Sequence, residues 1–395
     1  MLNARGRSWP GETHVEFAHF EQVFPRAGES ARDRYDQLWR ELELCDSLGF
    51  NYAFGSIHHL SHLRPQAAVF VTMAAARTKN LRVGPMGYTV ALYNPIRIVE
   101  ETAVLDNITG GRLEVGLTTG VTMDEFRVYG ADWDSRSARA REALELLVEA
   151  FRRERRPVIE EDRLPVADAL DPFTFEGAFN GYEEVRLSVD PVQRPHPPIW
   201  LISTSSDNLA VSAELGADTG YLFFRPQVEA RERLTPWVVD WTAHGHSRDP
   251  RIMFETLVYV DVTDDAAISR GEDLILSSMH EIYGGRFGGG GTALADVLER
   301  AGDPGQAEIR RHMFDYAWLL DNGIVIVGSP ETVAERLERA AREGLFNVFA
   351  GEFNVGHITE EALMRSIRLF GEHVVPALVD VDPVADLVRE NVDPA

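Results

Sequence analysis

One cysteine, one lysine and no long apolar run set the first limits on this 395-residue sequence. With Cys45 as the sole cysteine, an intramolecular disulfide and a thiolate metal site within one chain are both excluded. Cys45 falls in the helical pattern WRELELCDSLGF, where a small buried apolar residue is expected. No segment approaches the ~20 apolar residues of a membrane helix, and MLNARGRSWPGETHVEF has no apolar core of signal-peptide type. A soluble, cytoplasmic protein is the expectation. Positive charge is scarce as well, with 39 Lys and Arg against 63 Asp and Glu for a formal charge of −24. That balance opposes the phosphate neutralisation required for nucleic acid or an anionic membrane, so neither is expected as a partner. A phosphate bound here needs a local arrangement of amides, hydroxyls and a few arginines. The GxGxxG and GxxxxGK[ST] signatures are also missing, so a Rossmann dinucleotide site and a P-loop are unsupported.

What is present is alternation. Eight short β-rich runs, HVEFAHF, NYAFGSI, LRVGPMGYTV, RLEVGLTT, PIWLIST, TGYLFF, IMFETLVYVDV and FNVFAGEF, are separated by longer stretches with apolar residues at helical spacing. Several of those stretches stop at glycine, as helices do. Eight β-then-α units predict a (β/α)8 TIM barrel with insertions, and a doubly wound open sheet is the alternative. The barrel is expected to occupy residues 1–380 as one domain, with 381–395 as a C-terminal tail. Two segments break the pattern. Residues 157–198 hold several Pro, Phe and Gly without a helical period, which predicts a long excursion. The stretch YGGRFGGGGT, Tyr283 to Thr292, has six glycines in ten residues and reads either as a flexible linker or as a lid over the barrel mouth.

Three stretches carry chemistry. SIHHLSHL places His58, His59 and His62 after a strand, but no cysteine or HExxH accompanies them, so the cluster is not read as a metal site. Adjacent strand residues point to opposite faces, so His58 and His59 cannot both face the barrel interior. The inward one, at a strand's C-terminal end, is placed for acid/base work near neutral pH. PPIWLISTSSDNLAVSAELGAD brings Thr204, Ser205, Ser206 and Asn208 to a helix N-terminus, which suits either ordinary capping or a phosphate. RLEVGLTTG presents Thr118 and Thr119 at a strand end, either as donors to a ligand or as satisfied strand residues.

In order, WRELELCDSLGFNYAFGSIHH, AARTKNLRVG, YNPIRIVEETAVLDNITGGRLEVGLTTG, EFRVYGADWDSR, DPVQRPHPPIWLISTSSDNLAVSAELGAD and VGSPETVAERLERAAREGLFNVF resemble the bacterial-luciferase-like family of flavin-dependent monooxygenases. The resemblance spans roughly residues 35 to 350. It implies a luciferase-like barrel with a mobile Gly-rich loop, binding FMN as FMNH2 from a separate flavin reductase and using O2 through a C4a-(hydro)peroxyflavin. By the same resemblance His58 is the acid/base group beside the flavin, Thr118 lies near the flavin C4a locus, and Met86 and Gly87 pass under the isoalloxazine. Thr204, Ser205, Asn208 and Arg136 are carried over to the FMN phosphate. Two positions depart from the family: Ile57 stands where a Glu precedes the paired histidines, and Thr119 stands where an Arg meets the phosphate. The resemblance favours the lid for the Gly-rich loop, with Arg286 as its charge, and implies a homodimer through barrel helices.

Three functions compete. The first is an FMNH2- and O2-dependent monooxygenase acting on a small organic molecule. The second keeps the fold and uses the deazaflavin F420 for hydride transfer. The third is a non-catalytic flavin-binding or partner subunit.

Overall fold

All eight β-rich runs become strands, namely β1 Glu16–Glu21, β2 Tyr52–Gly55, β3 Arg82–Pro85, β4 Val115–Thr118, β5 Ile199–Ile202, β6 Thr219–Leu222, β7 Ile252–Val260 and β8 Val348–Glu352. The computed structural model describes residues 15–23, 28–60, 66–152, 155–156, 169–187, 189–283 and 304–392. The strands pair in parallel in the order β6-β7-β8-β1-β2-β3, and β5 pairs with β4. Two isolated parallel bridges close the ring, Val83 to Leu113 between β3 and β4 and Trp200 to Asp218 between β5 and β6. The result is the (β/α)8 barrel the alternation predicts. The open-sheet alternative fails because the first and last strands pair with each other.

The helices on the outside are α1 Ala31–Leu48, α2 Ala67–Arg77, α3 Pro95–Ile108, the short α4 Met123–Tyr129, α5 Arg136–Phe151, α6 Ser206–Leu215, α7 Gln227–Ala243, α8 Asp264–Tyr283, α9 Pro330–Gly344 and α10 Glu360–Leu369. Local chemistry sets their ends. Ser30 and Asp33 form a capping box at the start of α1, and Gly49 ends it in the left-handed conformation. Strand alternation then divides the apolar side chains. Ala18, Phe20, Tyr52, Phe54, Met86, Trp200, Met253, Val348 and Ala350 form a core inside the barrel. Phe17, Leu42, Cys45, Ala53, Val83 and Phe349 belong to the larger core between barrel and helices. Cys45 is buried there, as its helical setting predicts.

The excursion after α5 contains an antiparallel hairpin, Phe173–Glu176 with Gly181–Val185. It is tied to α5 by Glu142, which accepts from Phe179 N at 2.8 Å and from Asn180 Nδ2 at 2.7 Å. Within the segment expected to be a tail, Pro383–Val392 forms a helix whose Val384 is buried. His62, Arg286 and the glycines that follow Tyr283 lie outside the described residues. Among the described residues, no helix is long and apolar enough to cross a membrane.

The floor of the barrel, at the N-terminal ends of the strands, is ionic rather than apolar. Arg251 donates to Asp218 Oδ2 at 2.6 Å, to Glu114 Oε2 at 3.0 Å and to the Tyr52 hydroxyl at 2.8 Å. Trp200 Nε1 donates to Glu114 Oε2 at 2.7 Å, Arg82 also donates to Glu114, and Arg248 donates to Asp218 Oδ1 at 2.6 Å. Burial by itself would raise the Glu114 carboxyl, but the guanidinium groups of Arg251 and Arg82 outweigh it and hold the pKa at about 2.

Two consequences are testable. Because the folded-state value lies below the unfolded one, the Glu114 contribution is complete above the ordinary carboxylate range and is lost as pH falls from there toward about 2. The loss is on the order of 3 kcal/mol. Urea unfolding followed from pH 6 to pH 2.5 should show this acid-side slope in the native chain, and a reduced one in Glu114→Gln. Replacing Arg251 by Met removes the cation shared by two buried carboxylates, leaving Glu114 to Arg82 and Trp200 and Asp218 to Arg248, and should cost about 3 kcal/mol, read as a lower urea midpoint at pH 7.

Candidate active site

At the opposite, C-terminal end the strands surround a cavity that opens to solvent. Its walls are mainly apolar, with Phe20, Ile57, Met86, Val121, Phe223 and Phe224 among the lining side chains. Among the described lining residues His58 is the sole titratable side chain. A lining of this kind suits an organic ring system better than a charged metabolite.

The two neighbouring histidines lie in the loop after β2, His59 within a turn, and their side chains separate. His58 lines the cavity. His59 turns away and is buried against the rings of Tyr93 and Tyr129, at centroid distances of 5.3 and 4.9 Å. Burial lowers the His59 pKa, with a smaller opposing pull from Glu125, so its ring favours the neutral form. The acid missing at Ile57 is supplied from elsewhere. Glu125, on α4, lies with Oε1 3.3 Å from His58 Nδ1, and the same oxygen accepts from His59 N at 2.7 Å. Nothing in the sequence singles out Glu125, because an acid in the first turn of a helix is ordinary.

Met86 and Gly87 line the cavity and are joined by a cis peptide. They lie against β4, where a Cβ on Gly87 would come within 2.5 Å of the Gly116 carbonyl group. A glycine is required by this close approach of two backbones. Thr118 and Thr119 line the same wall, at the end of β4. The Thr118 hydroxyl donates to the Tyr88 carbonyl at 3.3 Å and lies 3.5 Å from Thr89 Oγ1, so it has partners within the protein while lining the cavity.

A second polar group gathers at the N-terminus of α6. Ser205 takes the N-cap position, yet its side chain makes no capping bond. Asn208 donates to Ser203 Oγ at 2.9 Å, while its Oδ1 accepts from Arg141 at 3.1 Å and from the Ser137 hydroxyl at 3.2 Å. Arg141, Ser137 and Ser203 thus join Ser205 and Asn208, although sequence reasoning did not select them. The signal was one helical turn away, since Ser137 and Arg141 share a face of α5 at i,i+4 spacing. Arg136 and Thr204 are placed differently. The Arg136 guanidinium stacks 3.9 Å from the Trp133 ring centroid and donates to the Trp133 carbonyl at 2.9 Å. Thr204 lines a shallow groove with Trp237 and Arg233, apart from the main cavity.

The family of luciferase-like monooxygenases matches residues 15–347. The chain is 23% identical over 356 residues to the FMNH2-dependent dimethylsulfone monooxygenase of Pseudomonas putida, covering 86% of this chain and 87% of that one. It spans about half the length of the first curated relatives it matches, with 55%, 43% and 52% of them covered. Among solved structures, a monooxygenase from Streptomyces bottropensis superposes with a TM-score of 0.73 at 22% identity, over 92% of this chain and 99% of that one. The oxygenating constituent of 3,6-diketocamphane monooxygenase from Pseudomonas putida, solved with FMN, gives 0.71 at 19% identity over 93% and 100%. An F420-dependent secondary alcohol dehydrogenase gives 0.64 at 16% identity over 92% and 99%, so the fold is shared across both cofactors.

The close contact at Gly87 supplies a direct test of the wall. Gly87→Ala should lower the unfolding free energy by about 1–3 kcal/mol through overpacking against backbone, read as a lower urea midpoint. Gly181→Ala, where the nearest atom to the new Cβ is 4.0 Å away, should be close to neutral in the same measurement.

Proposed function

The chain belongs to the luciferase-like monooxygenase family, and on that premise we propose that it is a flavin-dependent monooxygenase of the two-component kind. It takes reduced FMN from a separate flavin reductase and uses O2 to oxygenate a small, apolar organic molecule. The observation that carries this reading is the position of His58, a titratable group on the wall of an apolar cavity at the barrel mouth. The donor set at α6 fits the other end of the cofactor. Helix amides, the hydroxyls of Ser203 and Ser205, Asn208 and the Arg141 guanidinium are the groups that hold a phosphate in a protein of net negative charge. Met86, Gly87, Thr118 and Thr119 form the wall against which the ring system would lie.

Bound in reduced form, FMN supplies two electrons, so that one atom of O2 enters the product and the other leaves as water. The chain's own residues do the rest. Phe20, Ile57, Phe223 and Phe224 exclude water from the reacting face. His58, on the cavity wall, gives or takes a proton at its imidazole. Thr118 keeps its hydroxyl at the cavity edge through the bond to Tyr88. We take the barrel through residue 380 as one domain acting in the cytoplasm. A homodimer is part of the same reading.

The decisive experiment mixes the protein and FMNH2 with labelled O2 over a panel of small apolar compounds. Incorporation of one labelled atom into a product is the expected result. Its absence across the panel, with reduced-F420 turnover under anaerobic conditions instead, replaces the monooxygenase with the F420 oxidoreductase, and no turnover with either cofactor leaves a partner subunit. His58→Ala should lower oxygenation about 100-fold or more while FMN is still bound. Arg141→Ala should weaken FMN binding about tenfold in an equilibrium titration, with little effect on riboflavin, which lacks the phosphate.

A further inference from the structure

We propose that His19, Glu21 and Glu41 form a binding site for one divalent transition-metal ion of the Zn2+ class, in the seam between β1 and α1. The site is independent of the flavin reading, because it lies on the other side of the barrel wall from the cavity. Along β1, Ala18 and Phe20 belong to the core inside the barrel and Phe17 to the core behind it. Strand alternation therefore sends His19 and Glu21 outward with Phe17, toward α1. There they meet Glu41, and all three side chains are 0% exposed.

The ligand atoms converge. His19 Nε2 lies 3.4 Å from Glu41 Oε2 and 4.0 Å from Glu21 Oε2. One oxygen of each carboxylate and a ring nitrogen of His19 all fall within 4.8 Å of one another. In a tetrahedral site with bonds of ~2.0–2.1 Å, neighbouring ligand atoms stand about 3.4 Å apart, so one edge already has the required length. Arg34 sets this arrangement from behind. Its Nη2 donates to Glu21 Oε1 at 2.6 Å and its Nη1 to Glu41 Oε1 at 2.9 Å. One guanidinium holding both Oε1 atoms turns the Oε2 atoms toward His19, the orienting role that outer partners play around metal ligands.

The imidazole is the independent sign of a ligand. It is fully buried, and neither ring nitrogen makes a hydrogen bond, although a carboxylate oxygen stands 3.4 Å from Nε2. Burying such a group without a partner is costly. Stacking on Phe353, at a centroid distance of 5.8 Å and an interplanar angle of 23°, fixes the direction in which the ring presents Nε2. A cation seated between the ring and the carboxylates gives that nitrogen a partner. It also offsets the excess of negative charge, since Arg34 brings one positive charge to two carboxylates. Imidazole nitrogen with carboxylate oxygen suits Zn2+ or Mn2+, whereas Mg2+ and Ca2+ favour oxygen alone. With every ligand buried, the role is structural: the ion ties the first strand of the barrel to its first helix.

The full chain, unfolded in urea with a chelator, refolded with excess Zn2+ and desalted, should carry about one Zn2+ per chain by plasma mass spectrometry. Its urea midpoint should lie above that of chain refolded in chelator. X-ray absorption at the zinc edge should show one imidazole among oxygen ligands. His19→Gln and Glu41→Gln should each lose at least about nine-tenths of the metal. Native chain that binds no Zn2+ overturns the proposal and leaves His19 as an imidazolium paired with Glu41. Full occupancy retained in both variants, or a zinc site with two or more imidazoles, also overturns it, because the ion then sits elsewhere on the chain. Stoichiometry and X-ray absorption use the native chain alone, so they decide the matter even if a substitution prevents folding, and none of the measurements requires flavin.

Discussion

Arg251 is the group on which the barrel closes. It is the residue immediately before β7, and it reaches Asp218 before β6, Glu114 before β4 and Tyr52 at the start of β2. The two seams of the barrel that rest on isolated bridges, β3 to β4 and β5 to β6, are the ones this network spans. Where ladder hydrogen bonds are few, charge-assisted side-chain bonds at 2.6 to 3.0 Å fix the relative positions of the strands. A buried ion network of this type confers geometry more than net stability, because desolvation offsets much of the attraction.

That geometry matters at the other end of the same strands. Met86 and Gly87 follow β3, and Thr118 ends β4, so the seam pinned below by Arg82 and Glu114 becomes the cavity wall above. Two glycines, 87 and 116, let the backbones meet there without side chains between them. The flat wall and the ionic floor are therefore consequences of the same closure, one at each end of the barrel. The apolar core between them, with Phe54, Met86 and Trp200, separates the charges of the floor from the cavity.

The fold was legible because a parallel barrel repeats one unit, and each of its strands is buried on both faces and so appears as a short apolar run. The separation of His58 from His59 comes from the turn after β2, not from strand alternation, because the strand ends at Gly55. Glu125 was not legible, because His58 is brought near only when the segment after β4 folds back over the segment after β2. Arg141 and Ser137 were overlooked for a related reason. They sit on α5, and only the packing of α5 beside α6 brings them to Asn208. Arg136 was selected by its place in a familiar run, while the structure gives its guanidinium to Trp133.

The sequence by itself determined the alternation of eight strands with helices, the exclusion of disulfides and thiolate metal sites, and the end of the barrel at which chemistry would gather. All of these depend on composition or on spacing along the chain, which local periodicity preserves. The tertiary structure alone decided which acid stands near His58, because Glu125, 3.3 Å from its Nδ1, comes from a helix distant in sequence. Contacts between residues far apart in the chain have no local period to betray them, so the acid near that imidazole became visible only once the strands had closed.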